Sequence, residues 1–218
     1  CLQLRPKFAS PYNNRGLIYL RTGDVKRALD DFNAAVQNAS TGDIGYIHYY
    51  NRARAESILK QYDAALADFA EAQKIKPDGP RVSSLRCITY TEMRRFDEAL
   101  ADCNAALANS PKDVFVLVSR ANARVAKGDL NAALDDYNEA LKISPNSLRA
   151  YAGRGQLFEK KGDALAARSD YRSASVALTK FDDIEVGIAR RFAKERLAAL
   201  TPAVVARPPQ APQGKPAP

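Results

Sequence analysis

The side chains able to do acid–base, nucleophilic or metal chemistry are few in this sequence, and their spacing decides what they can do. His48 is the single histidine and stands beside Tyr46, Tyr49 and Tyr50. An imidazole titrates near neutral pH, but a catalytic base needs a nucleophile or an orienting acid in reach, and a metal site needs further ligands at defined intervals. Neither accompanies His48, which therefore reads as a packing or groove residue. Of the three cysteines, Cys1, Cys87 and Cys103, none has metal-ligand spacing. Cys87 and Cys103 fall at packing positions, so the expectation is a pair of buried free thiols, with a reaction between them as the alternative. Glycine-rich phosphate loops and Ser/His/Asp sets are absent from the sequence. The chemistry left is recognition: a non-enzymatic protein with no cofactor, no metal and no small-molecule substrate.

The charged residues that recur do so in register. Arg15, Arg52, Arg86, Arg120 and Arg154 each precede a small residue, and Asp31, Asp68, Asp102, Asp136 and Asp170 each follow sixteen residues later. An arginine on or beside a packing stripe carries a heavy desolvation cost unless an acid meets it. Five Arg–Asp pairs are therefore predicted. A structural ladder that fixes helix geometry is favoured over a ligand-binding row, because an arginine matched copy by copy with an acid is satisfied internally.

The elements that position these pairs follow from self-similarity along the chain. Ala28-Leu29-Asp30-Asp31-Phe32 returns as Ala65 to Phe69, Ala99 to Cys103, Ala133 to Tyr137 and Ala167 to Tyr171; the lead alanines step once by 37 residues and then by 34. A fixed period of this length marks a stack of supersecondary units. It cuts 9–181 into five units, 9–45, 46–79, 80–113, 114–147 and 148–181, with the extra residues of the first in the turn-rich stretch 40–45. Apolar steps of three and four, as in Tyr12, Gly16, Tyr19 and then Ala28, Phe32, Ala35, make each unit a pair of helices. Gly23-Asp24, Gly128-Asp129 and Gly162-Asp163 suit a left-handed helix end followed by an aspartate cap. The second and third units have Lys60-Gln61-Tyr62 and Arg94-Arg95-Phe96 instead, so Asp63 and Asp97 are expected to start their helices differently. Pro77, Pro111 and Pro145, again 34 apart, stop the second helices.

This pattern resembles the tetratricopeptide repeat (TPR) family. The residues that carry the resemblance are Leu117, Ala121, Gly128, Ala133, Tyr137, Ala140 and Pro145 in the fourth unit and Tyr151, Gly155, Phe158, Gly162, Ala167, Tyr171 and Ala174 in the fifth. The resemblance implies an all-α fold, a right-handed superhelical solenoid of antiparallel helix pairs, and it covers about four fifths of the chain. The small residues Gly16, Ala53, Cys87, Ala121 and Gly155 are expected to face the alanine of the second helix, where helices approach within about 8–10 Å. The arginine before each of them departs from the usual aliphatic residue of the family and is similar to repeats of many bacterial proteins.

The same register reads the ends. Residues 1–8 superimpose on the close of a repeat, with Cys1 at the place of Ala140 and Pro6 at that of Pro145, so a truncated upstream repeat is favoured over a lipid-bearing N-terminal cysteine. Residues 182–201 carry Ile184, Ile188, Phe192, Leu197 and Leu200 at helical spacing and read as a capping helix that closes the apolar end of the stack. Residues 202–218, rich in proline, read as an extended disordered linker rather than a polyproline ligand.

The sequence has 33 Lys plus Arg against 25 Asp plus Glu, a net charge of +8. Units one to four balance, whereas the fifth holds seven basic and three acidic residues and the two ends supply the rest. Phosphate tracking needs a continuous stripe, so nucleic acid is an unfavoured partner and an RNA-binding helical repeat the least favoured function. No apolar run is long enough for a transmembrane segment. Compartment is not encoded; cytoplasm and bacterial periplasm both stay open.

The resemblance implies a scaffold whose first helices line a concave, peptide-binding groove. Its lining maps onto Asn13, Leu17, Ile47, Tyr50, Asn51, Arg54, Arg81, Ser84, Ile88, Phe115, Val118, Asn122, Arg149 and Gln156. That mixture of apolar, amide and basic side chains suits a protein or peptide ligand with acidic and apolar residues. Asn51 and Arg81 fall at places of the clamp that reads chaperone tails in one subfamily, but Asn13 and Leu17 break that clamp in the preceding unit. The alternative function is a structural or assembly module that oligomerises through its repeat ends.

Overall fold

The computed structural model describes residues 9–38, 45–77, 81–178 and 184–200. Among them the chain is all-α, with eleven helices: α1 Ala9–Thr22, α2 Val25–Asn38, α3 Tyr46–Ile58, α4 Tyr62–Ile75, α5 Val82–Glu92, α6 Phe96–Asn109, α7 Val114–Lys127, α8 Leu130–Ile143, α9 Leu148–Lys160, α10 Ala164–Val176 and α11 Ile184–Leu200. The expectations for residues 1–8, for most of the 40–45 connection and for 202–218 lie outside the described residues. Helices α1 to α10 pack as five antiparallel hairpins, and each second helix also meets the first helix of the next hairpin. Alanine, the strongest helix former, is dense in α4, α6 and α8 and keeps those helices thin enough to be shared by two neighbours.

One turn closes all five hairpins. The backbone N–H of Asp24, Gln61, Arg95, Asp129 and Asp163 donates to the carbonyl five residues earlier, at 2.8–2.9 Å, and the residue before each donates to the carbonyl three earlier. This double bond pattern requires a left-handed residue. Gly23, Gly128 and Gly162 supply it at φ 88°, 100° and 79°. Lys60 and Arg94 take the same conformation at φ 62° and 61°, so the second and third hairpins turn as the others do. Asp63 and Asp97 sit in the first turn of α4 and α6 without capping them. Asp163 Oδ1 accepts from the Ala166 N–H at 3.0 Å and Asp24 Oδ1 from the Arg27 N–H at 3.3 Å, whereas Asp129 makes no side-chain cap bond.

In the first and fifth hairpins the small residue of the first helix stands against the aromatic of the second. A Cβ on Gly16 would stand 2.6 Å from the Phe32 ring, and one on Gly155 2.8 Å from that of Tyr171. The rings fill the interhelical space and are fully buried. The third hairpin has cysteine at both of these positions, and there Cys87 and Cys103 form a disulfide, with Cα atoms 5.7 Å apart. This corrects the expectation of free thiols. Two short side chains at the place of a ring and its small partner stand face to face in a closed interior, so packing itself brings the sulfurs together.

The arginine and aspartate rows meet in every hairpin. Nε and Nη2 of Arg15, Arg52, Arg86, Arg120 and Arg154 donate to the two carboxylate oxygens of Asp31, Asp68, Asp102, Asp136 and Asp170 at 2.5–3.0 Å. These are bidentate, charge-assisted pairs. From the second hairpin on, the remaining Nη1 reaches back to an amide oxygen of the preceding hairpin: Arg52 to Asn33 at 3.3 Å, Arg86 to Gln73 at 2.8 Å, Arg120 to Asn104 at 2.9 Å and Arg154 to Asn138 at 2.7 Å. One guanidinium thus holds its own hairpin shut and fixes the step to the one before.

Candidate functional site

The first helices α1, α3, α5, α7 and α9 touch in succession and form the inner layer of the stack. Across this layer lies α11, which packs on α9 and α10 and also reaches α1. It is fixed to the last hairpin by its side chains. The Phe192 ring stands edge-on to Tyr171 at 5.8 Å, Arg196 pairs with Glu159 of α9, and Ala193 is wholly buried.

Between α11 and the inner layer is a cavity of about 500 Å³. Seven of the residues expected in the groove line it: Arg54, Ile88, Phe115, Val118, Asn122, Arg149 and Gln156. Arg81 joins Phe115, Val118 and Arg149 around an adjoining cavity of about 270 Å³. Arg81, Phe115 and Arg149 occupy one register position in three successive hairpins, and the two guanidiniums stand 5.6 and 5.0 Å from the centre of the ring between them. Such cation–aromatic contacts hold both charges close to an apolar floor.

The other expected residues lie elsewhere. Asn13 and Asn51 are buried and engaged with each other, the Asn51 Nδ2 donating to Asn13 Oδ1 at 2.8 Å. Ser84 is closed off between helices. Leu17 packs against the cluster around Leu20 and Phe32, and Tyr50 against that around Phe69. Ile47 is exposed but outside both cavities. His48 is buried, and its Nδ1 accepts from the Gly45 N–H at 3.2 Å, which makes it a packing residue at the start of α3.

Thirteen of the cavity's twenty lining residues were not expected there, among them Ser57, Ile58, Lys60, Glu92, Ile188, Ala189 and Phe192. Ser57, Ile58 and Glu92 lie one helical turn beyond Arg54 and Ile88, so the register itself could have found them. Those on α11 could not be found this way, because α11 has no second helix and belongs to no copy.

A second feature of α3 is Glu56. Its side chain is buried, with Oε2 unpartnered among the described residues, beside Asp68 and 3.9 Å from Arg52. Burial pushes its carboxyl up to about 7; the Asp68 charge adds to this and the Arg52 charge opposes it. Among the described residues no helix is long and apolar enough to cross a membrane.

Comparison with known proteins gives the following. The tetratricopeptide repeat model matches residues 2–43 and 13–80, and a TPR repeat model matches 121–162. Serine/threonine-protein phosphatase 5 of Rattus norvegicus is 38% identical over 78 residues, and that of Homo sapiens 39% over 77; each match spans 35% of this chain and 15% of the relative. The fold is similar to that of a thermophilic TPR protein of Thermus thermophilus, with a TM-score of 0.73 and 16% identity over 86% of this chain and 99% of that one. It is also similar to a tetratricopeptide repeat protein from Parabacteroides merdae, with a TM-score of 0.66 and 20% identity, covering 88% of this chain and 75% of that one. YrrB, described as a TPR protein with an unusual peptide-binding site, aligns with a TM-score of 0.52 and 16% identity over 89% and 94% of the two chains.

Proposed function

Because the chain belongs to the tetratricopeptide repeat family, whose members are in general protein–protein interaction modules, we propose that it is a non-catalytic adaptor that binds a segment of a partner protein on its concave side. The observation that carries this reading is the cavity of about 500 Å³ on the inner layer, where Arg54, Asn122, Arg149 and Gln156 surround Ile88, Phe115 and Val118. Amides suit a peptide backbone, the apolar floor suits its side chains and the guanidiniums suit its acids. YrrB, of similar fold, is described by a peptide-binding site of its own. The test is retention of co-purifying proteins by the wild type, by a variant carrying Arg54→Ala with Arg149→Glu, and by the outer-face variant Asp135→Ala. A set of proteins lost only with the first variant is expected; equal retention by all three would sink the reading.

A second reading, assembly through the repeat ends, is favoured by Leu165, Val176 and Leu178, which are 77%, 69% and 89% exposed on and beside the last second helix. It requires a concentration-dependent oligomer in sedimentation that Leu178→Asp dissolves. A monomer at all concentrations removes it.

A further inference from the structure

Resting on the groove reading above, we propose that α11 is a wall of the binding site and that the site takes a short partner segment, an apolar side-chain pair flanked by acidic residues, rather than a long peptide laid along all five hairpins. Ile188 and Phe192, one turn apart on α11, line the same cavity as Ile58 and Ile88 of the second and third hairpins. Phe192 is held from behind by Tyr171. Ile188 is not: it is 56% exposed, while Val186 and Ala193 of the same helix are buried. The docking of α11 on the last hairpin therefore leaves one large aliphatic side chain facing the cavity.

The reach of α11 sets the length of the occupant. It packs on α9 and α10 and touches α1 but, among the described residues, makes no contact with α3, α5 or α7, so the space open to an occupant beneath it is the gap between α11 and those three helices. A volume of about 500 Å³ lies in the range of small-ligand sites, roughly 300–1,000 Å³, with room for a few side chains.

Charge sets its chemistry. Among the described residues lining the cavity, Arg54, Lys60 and Arg149 are the basic side chains and Glu92 is the acidic one. Complementary potential favours an anionic segment and rejects a cationic one. The bond from the Tyr137 hydroxyl, at 2.5 Å to Oδ1, orients the Asn122 amide at the cavity edge, in position to meet a peptide group and so to prefer a protein segment to an acyl chain.

An array of short peptides holding every pair of Leu, Ile, Val, Phe, Met and Tyr between two aspartates tests this, beside arrays with lysine for aspartate and serine for the apolar pair. The strongest binder is then titrated by fluorescence anisotropy against the wild type, Ile188→Asp, Ile188→Ala, Arg149→Glu and Ile18→Asp. Ile18 is exposed and outside the cavity. Binding confined to the acidic, apolar array is expected. Ile188→Asp should weaken it at least tenfold and Ile188→Ala less, with Ile18→Asp within twofold of the wild type and thermal melts unchanged. If Arg149→Glu weakens binding but both Ile188 variants leave it within twofold, α11 is no part of the site and the groove reading survives alone. If no array binds, or only the lysine array does, the groove reading fails with it.

Discussion

Breaking one rung of the arginine ladder tests the account of what holds the hairpins together. In the fifth hairpin Arg154 grips Asp170 with two bonds of 2.8 and 2.9 Å and reaches Asn138 of the preceding hairpin at 2.7 Å. The side chains are 21% and 7% exposed. Removing one partner of a fully buried pair costs about 3–5 kcal/mol, because the other charge is left desolvated; with a fifth of the guanidinium in water, Asp170→Ala and Arg154→Met should each cost about 2–3 kcal/mol. Asn138→Ala removes only the outer bond and should cost about 1 kcal/mol. The double variant leaves no orphaned charge, so it should be more stable than the sum of the single losses predicts, by about 2 kcal/mol. Urea unfolding followed by far-UV circular dichroism gives these differences from the midpoints. Arg15 is a built-in contrast, since its side chain is 46% exposed beside a 7% exposed Asp31; Asp31→Ala orphans a half-solvated guanidinium and should cost about 1 kcal/mol, less than Asp170→Ala, whereas Arg15→Met leaves a buried carboxylate and should cost as much as Arg154→Met. Single losses below about 0.5 kcal/mol at Arg154 and Asp170, or strict additivity in the double variant, would refute the ladder. Loss of partner binding at unchanged stability would turn the row into a recognition surface instead.

Glu56 gives a pH dependence with a defined sign. Its folded-state carboxyl, pushed up to about 7 by burial, binds a proton that the unfolded chain has released above about 4.5, so its contribution to stability falls as pH rises between those values. Glu56→Gln should match the wild type at pH 4 and exceed it by about 1–2 kcal/mol at pH 8 in thermal or urea melts; equal stability at both would show that the side chain is solvated. Arg94 holds a left-handed backbone at φ 61° in an exposed turn, so Arg94→Gly should raise stability by about 1 kcal/mol, where Gly128→Ala should lower it by a similar amount. The Cys87–Cys103 bond closes a loop of 16 residues, and its reduction should lower the urea midpoint by the equivalent of about 3 kcal/mol. Alkylation of both thiols in denaturant without reductant would show that the bond is not there.

The repeat, its turns and the Arg–Asp rows are legible in the sequence because each is set by contacts inside a hairpin or between adjacent ones, and such contacts recur with the period. Lys60 and Arg94 obscured the turn because side-chain preference for the left-handed region is weak beside the pull of a helix pair already packed on both sides. The disulfide was hidden for a related reason. Cys87 and Cys103 read separately as a small residue and a stunted aromatic, and only the ring-to-glycine contact of the first and fifth hairpins shows that these two positions face each other. Helical spacing places Asn13 and Asn51 near the concave side, where they read as groove amides; a buried amide pair and a solvent-facing one have the same spacing. The contribution of α11 lay beyond reach, since its contact with α1 is not local in the chain.

The five copies differ from one another in an ordered way, and the order argues for where recognition lies. Positions that face the paired helix are held nearly constant: arginine at 15, 52, 86, 120 and 154, a small residue directly after each, aspartate sixteen further on. Hairpins can stack at one spacing only if these contacts are the same in every copy. The cavity-facing positions obey no such rule. One register row runs Arg81, Phe115, Arg149, with Ile47 at the same place in the second hairpin but outside both cavities, and another Arg54, Ile88, Asn122, Gln156. A row free to differ at no cost to packing can carry an asymmetric pattern of charge and apolar surface, which an ordered heteropolymer such as a peptide can match and a uniform surface cannot. Alternating Arg81 and Arg149 around Phe115 places two cations on one ring, an arrangement that closing the hairpins does not require. The scaffold is thus repeated and the lining is singular, and it is the lining that α11 covers.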